Sequence, residues 1–121
     1  MRFTRGNPAH GPVYVLASAL DYLRGFDTAL VQRHVQALTT ALLTRLADAG
    51  IPSTTPADPA RHGASVCIES PRAAAIVEAL SRRGIFAWNG RGRIRFSFHG
   101  YNSMPEVERI IEALRAEWRP G

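Results

Sequence analysis

The segment Arg93-Ile94-Arg95-Phe96-Ser97-Phe98-His99 holds the residues whose types and spacing bear most directly on chemistry. A β-strand turns successive side chains to opposite faces, so Ile94, Phe96 and Phe98 share one face while Arg93, Arg95, Ser97 and His99 share the other. Two guanidiniums, a hydroxyl and an imidazole on one face have two physical readings. One is a solvated outer sheet face, the ordinary fate of polar residues opposite an apolar row. The other is an anion site, because a planar guanidinium pairs bidentately with a carboxylate. Alternation alone leaves both open.

The remaining reactive side chains bound the chemistry from outside. All 15 basic residues are arginine, and the chain contains no lysine. A covalent link between a protein amine and a carbonyl cofactor therefore cannot form on this polypeptide. Cys67 is the single cysteine, which excludes an internal disulfide and a cysteine-based zinc cluster; in its strand it reads as a small buried apolar residue. His10, His34 and His62 stand apart from carboxylates at ligand spacing, so no metal site is expected. The formal net charge is +5, and the run Arg91 to Phe98 mixes arginines with aromatics, as some nucleic-acid modules do. Against that reading, both phenylalanines share their face with Ile94 and the other arginines are scattered along the chain. Nucleic-acid binding is therefore the lesser alternative.

The elements that must position this strand follow from periodicity and punctuation. The 121 residues suit one compact domain. Residues 1–11 read as a polar N-terminal arm, and residues 12–121 as the domain proper. Pro12 suits a first helical position; Tyr14, Leu16, Ala17, Leu20 and Leu23 follow at helical spacing before Gly25. A longer helix is expected from about Asp27 to Ala49, with Val31, Val35, Leu38, Leu42 and Leu46 on one seam. Three prolines between 52 and 59 make the next stretch a loop. Ser65 to Glu69 alternates as a short strand. Ser70-Pro71 reads as the start of a helix that Gly84 ends. Ile85 to Trp88 and Arg93 to His99 read as two strands joined by Asn89-Gly90-Arg91-Gly92, the Asn-Gly pair being a hairpin signal. Ser103 and Glu106 have capping-box spacing for a last helix through Val107, Ile110, Ile111, Leu114 and Trp118. The predicted class is α/β in the α+β sense, ordered α-α-β-α-β-β-α, with a small, mostly antiparallel sheet and helices on one face.

With these elements in place, Arg95-Phe96-Ser97-Phe98-His99-Gly100-Tyr101-Asn102-Ser103, followed by Glu106-Val107-Glu108, resembles the C-terminal signature of class V aminotransferases and their cysteine-desulfurase-like relatives. These are fold-type-I enzymes dependent on pyridoxal phosphate. The resemblance spans nearly the whole chain and corresponds to about the last third of a family member, the small domain. It implies that Arg95 binds the substrate α-carboxylate, with His99 beside it on the same face. The early segment Arg2-Phe3-Thr4-Arg5-Gly6-Asn7-Pro8 resembles the family's Gly-Thr-Pro segment, which implies that Gly6 and Asn7 approach the cofactor phosphate of a neighbouring subunit, Asn7 through its amide.

Two departures from the family pattern qualify what the resemblance implies. Cysteine desulfurases of the family carry a reactive cysteine in the loop before the arginine strand, where this chain has only Asn89 to Gly92; sulfur transfer by that route is not expected. The cofactor-bearing large domain, with its lysine, is absent from the sequence. The expectation is thus a truncated or split enzyme, inactive alone, that takes pyridoxal phosphate only in an assembly with a large domain or subunit. A small carboxylate such as an amino acid would be its substrate. Homo- or hetero-oligomers are expected, since part of the apolar surface, along the first helix or on the outer face of the sheet, would otherwise stay uncovered. A repurposed, non-catalytic partner or binding domain is the alternative. The longest apolar runs fall well short of a membrane span and the N-terminus has no apolar leader core, so a cytoplasmic protein is expected.

Overall fold

The computed structural model describes residues 9–118. Its elements run α1 (His10–Leu23), α2 (Thr28–Asp48), β1 (Ser65–Glu69), α3 (Ala73–Arg82), β2 (Trp88–Gly90), β3 (Arg93–Ser97) and α4 (Met104–Glu117), with a single 3-10 turn at Pro59–Arg61 inside the long connection. This is the expected order, and the architecture is α+β. The three strands form one antiparallel sheet in the order β1-β3-β2, so β3 is central.

One face of the sheet carries the core. Val66 and Ile68 of β1 pair with Phe96 and Ile94 of β3, and all four are buried together with Phe98. Against them pack Leu38, Leu42 and Leu46 from α2, Ile76 and Leu80 from α3, and Val107, Ile110, Ile111 and Leu114 from α4. Removing such side chains from water stabilises the fold by roughly 1.5–3 kcal/mol each. The first helix shares none of this. No residue of α1 is buried, and Val13, Leu16, Leu20, Leu23, Phe26, Leu30 and Val31 lie in the open. The seam expected along all of α2 therefore packs only from Val35 onward, Leu30 and Val31 before it being exposed.

Local chemistry accounts for most boundaries. Asp27 caps α2, its carboxylate accepting from the N–H groups of Ala29 at 2.8 Å and Leu30 at 3.2 Å. Gly84, at φ 72°, follows the last residues of α3, and Gly84 N–H and Ile85 N–H return to the carbonyls of Ser81 and Leu80. That is the Schellman closure, which satisfies the orphan carbonyls and delivers Ile85 into the core. The last helix opens with the expected capping box of Ser103 and Glu106.

Several expectations need correction. Pro12 is the third residue of α1, not the first, and is tolerated there because first-turn N–H groups lack helical partners. Helix α3 begins at Ala73. Ser70 does not cap it; its hydroxyl accepts from Arg72 N–H at 3.1 Å and spends a turn on Pro71-Arg72. The second strand is Trp88–Gly90, later than the expected Ile85 to Trp88, and Asn89-Gly90 belongs to the ladder instead of the turn. The hairpin turns at Arg91-Gly92, both at positive φ (52° and 73°), which suits a two-residue connection whose twist matches the strands. Finally, β3 ends at Ser97, although Phe98 N–H still bonds to Ala64 carbonyl at 2.9 Å.

Candidate functional site

The outer face of the sheet is built by the residues that alternate with the core. Across β1 and β3 the outward pairs are Ser65 with Ser97, Cys67 with Arg95 and Glu69 with Arg93; across β2 and β3, Trp88 stands opposite Arg95 and Gly90 opposite Arg93. The two arginines share a face and differ in state. Arg93 is engaged, its Nε donating to Glu69 Oε1 at 3.0 Å. Arg95 has no carboxylate or hydrogen-bond partner among the described residues; its guanidinium carbon instead lies over the Trp88 ring, 5.2 Å from the centroid. Arg95 is thus an exposed cation whose N–H edge is uncommitted among the described residues.

Beside Arg95 the strand end, the loop after it and the start of α4 enclose a cleft of about 380 Å³ whose walls include Trp88, Arg95, Ser97, His99, Tyr101 and Arg109. His99 is exposed at its mouth and stacks on Tyr101, ring centroids 5.3 Å apart. Its position is set by the backbone, since His99 N–H donates to Asn102 Oδ1 at 2.8 Å. Asn102 in turn donates from Nδ2 to Glu106 Oε1 at 3.1 Å, so Asn102 shapes the entry to α4. From the far side, His34 of α2 lies 2.8 Å from the Asn102 carbonyl through Nε2, tying the long helix to the same loop. That tie had no signal in the sequence.

Glu106 is the anchor of this corner. Its Oε2 accepts from Ser103 N–H at 2.7 Å and from the Ser103 hydroxyl at 3.1 Å. The Ser103 backbone bond is the main reason its carboxyl sits below the ordinary carboxylate range; Asn102, the Ser103 hydroxyl and the Arg109 charge act in the same sense, and partial burial opposes them. A depressed carboxyl contributes stability that is fully present above its unfolded pKa, about 4.3, and is lost as pH falls through the folded value. The Glu106→Gln variant keeps the capping-box spacing and gives up the charge, so it is expected to lose about 0.3–1 kcal/mol near neutral pH, with the gap to wild type closing below about pH 4. Urea unfolding of both chains across that range tests this, and a gap that stays constant into acid would refute it.

Arg95 and His99 both line this cleft, His99 from the loop beyond the end of β3. Gly6 and Asn7, assigned to a cofactor phosphate by resemblance, lie outside the described residues. Cys67 corrects the sequence reading: it is half-buried on the outer face opposite Arg95, not in the core, because its neighbours Val66 and Ile68 take the inward positions. Phe96 and Phe98 are 2% and 3% exposed, so neither offers a stacking surface to a base. Trp88 is an exposed wall of the cleft. Among the described residues no group of three or more His, Cys, Asp or Glu could hold a metal ion, and no helix is long and apolar enough to cross a membrane.

Comparison with known proteins bears on this arrangement. The family model described as Kynureninase C-terminal domain matches residues 30–114, well over half the chain. Among solved structures, the chain is similar to the apo structure of cysteine desulfurase from Thermococcus onnurineus NA1, with a TM-score of 0.84 and 23% identity over 96% of this chain and 33% of that one. It is also similar to a NifS-like protein, with a TM-score of 0.60 and 20% identity over 70% of this chain and 27% of the other. A third likeness is to the serine palmitoyltransferase of Sphingomonas wittichii, with a TM-score of 0.56 and 20% identity over 69% and 23%. The chain spans a third or less of the length of each of these structures. No curated protein matches it.

Proposed function

The chain belongs to the kynureninase C-terminal domain family, and from that membership we propose that it is the substrate-gripping small domain of a pyridoxal-phosphate-dependent enzyme, completed by a cofactor-bearing large domain on the same or a partner polypeptide. The observation that carries this reading is the exposed Arg95 at the wall of a cleft, with no ion-pair partner among the described residues. Its N–H edge is available to a substrate carboxylate, and His99 at the cleft mouth is a second contact for the same small molecule, an amino acid or similar carboxylate.

The residues fit one side of such a site. With no lysine, this polypeptide cannot hold the cofactor covalently; in this reading it supplies the substrate side of the site, and Gly6 and Asn7 are proposed contacts to the cofactor phosphate. Pyridoxal phosphate, when bound by the large domain, supplies the electron-withdrawing chemistry at the substrate's α-carbon. This chain's part is orientation: a carboxylate clamped by Arg95 fixes the rotation about the α-carbon and hence which bond is aligned to break.

The docking surface is α1 with the first turns of α2. A 14-residue helix with no buried side chain is marginal in water, and the likeness to the cysteine desulfurase covers nearly all of this chain, α1 included, while leaving two-thirds of that protein's length unmatched. The occupant proposed for this apolar face is the large domain. Without it the chain is expected to self-associate at micromolar concentration, and Leu16→Glu with Leu20→Glu to restore the monomer; sedimentation of a strictly monomeric wild-type chain would contradict the surface assignment. The function itself is tested by mixing the chain with a separately expressed, lysine-bearing large domain of the same family. A stoichiometric complex that turns over an amino acid, where neither part alone does so, is the expected result. No complex and no turnover would overturn the reading.

A further inference from the structure

We propose that Trp88 is a positioning residue for Arg95, an aromatic platform that holds the guanidinium in the orientation in which it meets an anion, and that Gly90 keeps this platform in place. The inference rests on the reading of Arg95 as the carboxylate-binding group. Three observations carry it.

The register of the sheet sets Trp88 directly across from Arg95 on the outer face, and the guanidinium carbon lies 5.2 Å from the centre of the indole. A guanidinium that lies face-on over an aromatic ring leaves its in-plane N–H groups free. A salt bridge like that of Arg93 with Glu69 would spend the same N–H groups on the protein itself. The platform therefore immobilises Arg95 without consuming its donors. An arginine side chain has rotamer freedom to lose when it binds, and ordering it beforehand removes part of that cost from the binding step.

Gly90 supplies the third observation. It lies two residues beyond Trp88 on the same face of β2, and a Cβ built there would stand 2.5 Å from both Cη2 and Cζ2 of the indole. The ring is folded down onto the strand backbone where only hydrogen leaves room. A methyl group at position 90 must push the ring away while leaving the chemistry of both Trp88 and Arg95 untouched.

The test uses the full chain, isotope-labelled, with the Arg95 Nε–H resonance as probe and acetate as titrant. In wild type that resonance is expected to be displaced by the indole ring current and to move further as acetate is added. Trp88→Leu and Gly90→Ala are expected to collapse the displacement and weaken acetate binding between about twofold and tenfold, whereas Trp88→Phe retains part of both. Arg95→Leu lacks that probe, so acetate binding to it is followed through the backbone amides of Ser97 and His99, whose acetate-induced shifts in wild type are expected to disappear. Amide spectra of Ile94 and Phe96 report that each variant is folded; should Gly90→Ala fail that criterion, the Leu and Phe substitutions at 88 decide alone. If Trp88→Leu leaves the Arg95 signal and the acetate affinity unchanged, the positioning role is overturned while the carboxylate reading survives. If Arg95→Leu leaves acetate binding intact, the carboxylate reading itself falls.

Discussion

Replacing Arg95 with leucine is expected to raise the KM of the assembled enzyme for its carboxylate substrate by roughly 10- to 100-fold while leaving the domain folded. The magnitude follows from hydrogen bonds to a charged group, worth about 1.5–3 kcal/mol when one partner is removed. Stability is expected to change by no more than about 1 kcal/mol, because Arg95 is exposed, makes no ion pair among the described residues and gives up only its contact with Trp88. Arg95→Lys retains the charge but not the planar fork, so its KM should lie between the two. The neighbouring control is Arg93→Leu. Arg93 is already bonded to Glu69, and its loss should change KM little. Steady-state kinetics on the three variants separate a specific carboxylate clamp from a general basic surface; equal effects at 93 and 95, or none at 95, would rule the clamp out.

The opposite result is expected one residue further along the same strand. Phe96→Ala should destabilise the domain by about 3–5 kcal/mol, a large share of the roughly 5–15 kcal/mol that holds a domain of this kind together. Phe96 is 2% exposed, pairs with Val66 on the core face and belongs to the cluster that α2, α3 and α4 cover. Removing the ring forfeits its burial and leaves a cavity that neighbouring β-sheet backbone cannot close. At this chain length the melting temperature should fall by roughly 10–20 °C, with the urea midpoint moving in step. A Phe96→Ala chain as stable as wild type would mean that the core does not lie on that face. Taken as a pair, the substitutions at 95 and 96 separate binding from folding along a single strand.

How much of this was legible beforehand differs by residue. The face assignments of Arg95 and Phe96 needed only the two-residue period of a strand, and they would survive any register shift by an even number of residues. That is why the partner of Arg95 was missed though its face was not. A four-residue connection over Asn89 to Gly92 would set Trp88 opposite Arg93; the two-residue turn at Arg91-Gly92 moves the pairing by two positions and sets Trp88 opposite Arg95. Asn-Gly is a strong turn signal, but Asn89 and Gly90 pair with Ile94 and Arg93 and the turn falls on Arg91-Gly92. The same limit applies to Cys67, whose outward face follows from Val66 and Ile68 once those are known to be core, and to His34, tied to Asn102 across 68 residues of sequence.

What the amino-acid sequence by itself determined is therefore whatever depends on neighbours in the chain. Helix and strand order, the Asp27, Gly84 and Ser103–Glu106 boundaries, the inward and outward rows of β3 and the exclusion of covalent cofactor attachment all rest on local geometry or on which side chains are present. The tertiary structure alone decided the placing of β3 at the centre of the sheet, the pairing of Arg95 with Trp88 instead of with a carboxylate, the cleft beside it, and the exposure of α1. These depend on contacts between distant segments, and their energies arise only when strands register and helices dock; no single stretch of residues encodes them.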